Sequence, residues 1–141
     1  MISFTVQHVL VLRLINNYVF ETSRSLHNLL FLVSAEKTDR QQMCFYDFVR
    51  TGNGAYSYGI NRMLEDLRRE KLIVGEGLHI TAKGRDIYAN LASALSPFAP
   101  FCDLCEDMVE RYGGNPEDLN QVVFRNIPFR RAKVGDRIFY P

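Results

Sequence analysis

The pair Cys102-x-x-Cys105 has the spacing that can ligate a metal or form a redox couple. A structural zinc site needs four ligands. Cys44 could be a third and one of His8, His27 or His79 a fourth, but no second CxxC and no HxxxH spacing accompanies them. Around the pair, Phe101, Leu104, Met108 and Val109 recur at helical spacing, a setting in which cysteine packs as a small apolar residue. No thioredoxin-like βαβ pattern supports redox chemistry. The loop Gly52-Asn53-Gly54 lacks the Lys-Ser/Thr that completes a phosphate-binding loop, and no GxSxG or HExxH occurs. The three histidines are scattered, two on helices and His79 in a hairpin. We assign no metal, no cofactor and no catalytic group, so the chain reads as a non-enzyme.

Binding chemistry is better represented. Asn61, Arg62 and Arg69, with Arg68 nearby, fall on the polar side of a helical pattern that begins at Ser57 and Tyr58. Arginine reads guanine and asparagine reads adenine in the major groove. Glu65 and Asp66 stand among these cations and weaken attraction to phosphate, so the same face suits a protein partner or plain solvent. Lys83 and Arg85 can anchor a neighbouring helix start on a nucleic-acid backbone or simply be exposed. Arg130, Arg131, Lys133 and Arg137 form the densest basic run. That run can bind nucleic acid, an acidic partner, or the chain's own acidic segment around Glu106 and Glu110. Residues 103–118 carry a local −5 and residues 125–137 a local +4, within a chain whose net charge is only +1. A dedicated non-specific nucleic-acid binder is usually more basic, because cations that neutralise phosphates drive its affinity.

The elements that position these residues follow from periodicity. At 141 residues and 47% apolar composition, the chain suits one domain with a full core. Residues 3–20 approach helical spacing. His8 and Arg13 interrupt the run and no basic leader precedes it, so it reads as a buried helix, not a signal or a membrane span. An odd cysteine count without a secretory segment suggests a reducing cytoplasm. Leu26, Leu29, Leu30 and Val33 mark a second helix from Ser23 to Lys37, with Ser23 or Ser25 as cap. Phe45, Tyr46, Phe48 and Val49 suggest an extended segment, followed by a glycine turn.

From Tyr56 to Leu95 the order is the clearest. Ile60, Met63, Leu64 and Leu67 stripe a helix over 58–71 that Ser57 can cap. Leu72-Ile73-Val74, Gly75-Glu76-Gly77 and Leu78–Thr81 make a hairpin. Thr81 then starts a helix with Ile87, Tyr88, Leu91 and Leu95 inward, ended by Pro97 and Pro100. Phe101 to Val109 form another helix, stopped at Gly113-Gly114. Asn115-Pro116-Glu117 starts a short one, and the chain from Asn126 to Tyr140-Pro141 is irregular. Helix, hairpin, helix over 56–95 reads as a winged helix, which can lay its second helix in the DNA major groove and its wing on the backbone. We expect an α+β, mainly α, single domain: N-terminal helices over 1–50, the winged helix-turn-helix with its small β-hairpin wing over 56–95, and C-terminal helices with a basic tail over 101–141.

A wider pattern accompanies this. Leu26-x-x-Leu29-Leu30-Phe31-Leu32, Phe45-Tyr46-Asp47-Phe48 and Gly54-Ala55-Tyr56-Ser57 precede Leu67–Ile73 and Leu78–Gly84. Val109-Glu110-Arg111-Tyr112 and Val122-Val123-Phe124 to Pro128 follow. Over roughly residues 25–130 the chain resembles the Panacea family of antitoxins and adaptors. His27-Asn28 stand where that family carries a basic residue, and Ala55 where it carries Pro. The resemblance implies action by binding, with a toxin or defence component as protein partner. DNA remains the alternative ligand, a homo-oligomer is compatible with the sequence, and no membrane partner is expected.

Overall fold

Ten consecutive residues, Ser25 to Ser34, are buried, so helix α2 (Ser23–Ala35) is covered on every side. An apolar stripe alone would leave one face in water. The computed structural model describes residues 4–36, 47–75, 77–112 and 116–139. The expectations for Cys44, Phe45, Tyr46, Glu76, Gly113, Gly114, Asn115, Tyr140 and Pro141, and for Lys37 as a helix end, lie outside the described residues. The fold is mainly helical with two small antiparallel hairpins.

Around α2 stand α5 (Ala99–Tyr112), α6 (Pro116–Arg125) and the strand β2 (Gly54–Ser57). Leu26, Leu29, Leu30, Phe31 and Val33 are fully buried there. Each such side chain contributes roughly 1.5–3 kcal/mol on burial. Thr22, not Ser23 or Ser25, is the N-cap residue of α2, and its side chain makes no capping bond.

Helix α1 (Val6–Asn17) begins in a capping box formed by Thr5 and His8. Thr5 N–H donates to His8 Nδ1 at 3.0 Å, which makes Nδ1 an acceptor and leaves the proton on Nε2. That Nε2–H donates to Asp66 Oδ2 at 3.0 Å, joining α1 to α3 (Tyr58–Arg69).

β1 (Phe48–Thr51) pairs with β2 through a two-residue loop, Gly52-Asn53. The glycine turn read from the sequence is therefore the tip of a hairpin. Its outer edge is closed by the tail. Arg50 N–H donates to Asp136 O at 2.9 Å, Gly135 N–H to Arg50 O at 2.7 Å and Ile138 N–H to Phe48 O at 2.9 Å. The expected irregular tail is thus corrected. Asn126 caps a further helix, α7 (Ile127–Arg131), through its side chain, and the residues after it lie along β1. Phe139 stacks on Phe31 with centroids 5.2 Å apart, which anchors the tail in the core.

α3 ends two residues earlier than its periodicity suggested, in a Schellman motif. Leu72 N–H donates to Leu67 O and Lys71 N–H to Arg68 O, both at 2.9 Å, with Lys71 left-handed at φ 60°. Leu67 and Leu72, the two apolar residues that flank such a motif, are both buried. The hairpin β3 (Ile73–Val74) and β4 (His79–Ile80) follows, then α4 (Ala82–Leu91). Thr81 caps α4: its hydroxyl accepts Gly84 N–H at 2.9 Å and donates to Lys71 O at 2.8 Å. Pro97 and Pro100 do not end the helical path as expected. A 3-10 segment, Ala92–Phe98, carries Pro97, and Pro100 falls in the first turn of α5, where its missing N–H is tolerated. No helix among the described residues is long and apolar enough to cross a membrane.

Candidate interaction site

The polar side of α3 is exposed as its periodicity requires. Tyr58 is 62% exposed at the start of the helix, and Arg62, Glu65, Arg68 and Arg69 follow on its outer surface. Two of the cation and amide groups are already engaged within the helix. Asn61 Nδ2 donates to Glu65 Oε1 at 3.1 Å, and Arg69 lies 3.8 Å from Asp66. Lys83 donates from Nζ to Glu70 O at 3.1 Å, so it closes the carbonyl end of α3 from the first turn of α4. Arg85 is exposed and lines a groove of about 240 Å³ with Asn16, Asn17, Tyr18 and His79. Arg130 and Arg131 are exposed on α7, the helix that packs against α6. Tyr58, Asn61, Arg62, Arg69 and Lys83 therefore belong to α3 and its immediate neighbour, Arg85 to the adjoining groove, and Arg130 and Arg131 to a separate element.

Ser57 does not belong in that set. It is 0% exposed, and its hydroxyl donates to Asp47 Oδ1 at 2.6 Å while accepting Ile60 N–H at 3.1 Å. Ser57 is a structural cap, which corrects its assignment as a contact residue.

The cap belongs to a buried polar junction that the sequence did not reveal. His27 Nδ1 accepts Ser57 N–H at 3.0 Å and Asn28 Oδ1 accepts Ala55 N–H at 3.0 Å. Asp47 Oδ2 accepts Gly59 N–H at 2.8 Å. The edge of β2 turned away from β1 is thus closed by side chains of α2. Proline at position 55 would have no N–H to give Asn28. The available signal was the polar pair His27-Asn28 set inside the apolar run Leu26–Val33.

His27 is 2% exposed and stacks on Tyr56 with centroids 4.8 Å apart. Burial holds its imidazole down to about 4, against a weaker opposing pull from Asp47. The ring is neutral near pH 7, and with Nδ1 accepting, its proton sits on Nε2. That Nε2–H has no hydrogen-bond partner among the described residues. His27 and Tyr56 line a cavity of about 440 Å³ shared with Thr22, Ser23 and Arg24 at the start of α2, and with Thr51 and Asn53 of the hairpin.

The three histidines weighed for a metal sit in different arrangements. His8 belongs to the Thr5–Asp66 chain, His27 to the junction, and His79 is exposed on β4. Cys102 and Cys105 are free and buried, and burial raises both thiols above their ordinary range. Among the described residues no group of three or more His, Cys, Asp or Glu could hold a metal ion. Comparisons with protein-family models, curated proteins and solved structures find no match to this chain.

Proposed function

We propose that the chain is a non-enzymatic, Panacea-like binding protein, acting as an antitoxin, adaptor or defence-related regulator through a protein partner. In this reading α3, the β3–β4 hairpin and α4 are a winged helix whose exposed α3 face makes the contact. The observation that carries it is the mixed charge of that face. Glu65 and Asp66 already engage Asn61 and Arg69, which reduces their pull on phosphate. An exposed tyrosine beside arginines of alternating sign environment suits a protein surface, where Tyr and Arg are enriched. Val74, 52% exposed on the hairpin, adds an apolar contact beside it. Two free thiols fit a reducing cytoplasm. The test is a photo-crosslinking residue at Tyr58, with a second at Asp103 on the surface of α5 as control. A defined protein captured from Tyr58 alone, and lost with Arg62→Glu, is the expected result. Equal capture from both positions, or none, sinks the reading.

A DNA-binding regulator is the second reading, favoured by Arg62 and Arg68, which are exposed and form no ion pair among the described residues. A mobility shift at low salt decides it. Retardation of a duplex that weakens in Arg62→Ala with Arg69→Ala would replace the protein-partner reading, and no retardation of any duplex removes the DNA one.

A further inference from the structure

We propose that the cavity at the start of α2 is a binding site for a small organic oxyanion, its phosphate or carboxylate group held by the first amides of α2, Arg24 and His27. Four features converge there. α2 is 13 residues long, its cap residue Thr22 makes no side-chain bond, and its first turn holds no acidic residue. The amides of Ser23 and Arg24 have no acceptor within the helix, while Ser25 N–H is taken by Thr22 O at 3.2 Å. A helix start of this kind favours an anion through its N–H groups and its dipole. Arg24 is exposed at the cavity wall and forms no ion pair among the described residues, so its guanidinium is free to fork onto an oxyanion.

The fourth feature is independent of the helix. His27 is almost completely buried, and its Nδ1 is committed to Ser57 N–H on one edge of the ring. The other ring nitrogen, Nε2, is buried and has no hydrogen-bond partner among the described residues, and His27 lines the cavity. A buried donor without an acceptor is costly, and an arriving oxyanion relieves that cost. None of the described lining residues is acidic; Glu21, one residue before the cap, is exposed and outside that lining. At about 440 Å³ the space exceeds a bare ion and falls in the range of small-ligand pockets. Tyr56 forms an aromatic wall beside it. The site does not depend on the partner-binding reading of α3.

The test uses the full chain labelled with 15N and three probes at constant ionic strength: inorganic phosphate, phenyl phosphate and benzoate. Saturable movement of the Ser23 and Arg24 amides and of the His27 ring signals is expected. Phenyl phosphate outcompeting inorganic phosphate identifies an organic phosphate, and benzoate alone a carboxylate. Arg24→Ala, at an exposed position that leaves the core intact, should weaken binding about ten-fold, and Arg24→Glu should abolish it. His27→Gln, which keeps an acceptor for Ser57 N–H, should weaken it several-fold. Absence of saturable shifts with all three probes, or wild-type affinity in Arg24→Glu, overturns the proposal.

Discussion

His27 Nδ1 accepts the backbone N–H of Ser57 at 3.0 Å, so a side chain of the central helix completes the edge of a strand at the residue that caps the next helix. One imidazole thereby couples α2, the β1–β2 hairpin and the start of α3. The ring can do this only while neutral, because protonation would place a second N–H against the Ser57 donor.

That requirement sets a pH dependence. The folded His27 titrates at about 4, below its ordinary 6.5, because burial disfavours the cation. The unfolded chain therefore binds this proton first as pH falls. The stability linked to His27 is fully present above pH 6.5 and is lost as pH falls from there to about 4. The shift corresponds to about 3 kcal/mol. Urea denaturation across this window should show the loss in the wild type and a shallower decline in His27→Gln. Identical slopes would remove His27 as the cause.

Asn28 does for Ala55 what His27 does for Ser57. Asn28→Ala leaves the buried N–H of Ala55 without an acceptor and should cost roughly 1–3 kcal/mol. Gly54→Ala should be harmful at the same spot. Gly54 has φ +128°, and an added methyl would lie 2.6 Å from Asn28 Oδ1. Equilibrium unfolding of both variants checks this; a loss well below 1 kcal/mol in Asn28→Ala would mean that water replaces the amide.

Lys71 occupies the left-handed position after α3, where a side chain is disfavoured. Lys71→Gly should stabilise the protein by roughly 0.5–1 kcal/mol, the greater freedom of glycine in the unfolded chain taking back part of the gain. The unfolding midpoint should rise, and a fall would show that the lysine side chain itself contributes.

Gly84 faces the opposite restriction. A Cβ there would collide with Leu72 O, the carbonyl that accepts Thr81 N–H. Backbone cannot move aside without opening the junction between α3 and α4. Gly84→Ala should cost more than about 2 kcal/mol. Wild-type thermal stability in this variant would show that the hairpin yields easily.

Arg50 holds the tail. Its Nη1 donates to the carbonyls of Phe129, Arg130 and Ala132 at 3.3, 3.2 and 2.8 Å, and its guanidinium lies 4.8 Å from the Phe129 ring centroid. Arg50→Ala should cost about 1.5–3 kcal/mol and speed amide exchange at Gly135 and Ile138 before the rest of the core. Unchanged exchange at those two amides would place the anchor in Phe139 alone.

Periodicity determined much of this protein. The stripe Ile60, Met63, Leu64 and Leu67 made α3 legible, and Thr81 and Ser57 were recognisable as caps, because these are local properties of helices and their ends. The exposed residues Arg62, Glu65 and Arg69 followed from the same angle of about 100° per residue. Tertiary structure alone decided the rest. Nothing local indicates that His27 and Asn28 meet Ser57 and Ala55, residues 30 and 27 positions away, or that Arg50 clasps carbonyls about 80 positions on. Those contacts arise because buried backbone groups must find partners, and which side chain supplies them depends on how whole elements pack. The same packing turned Ser57 from a surface candidate into a buried cap and gathered Arg24, His27 and Tyr56 around one cavity.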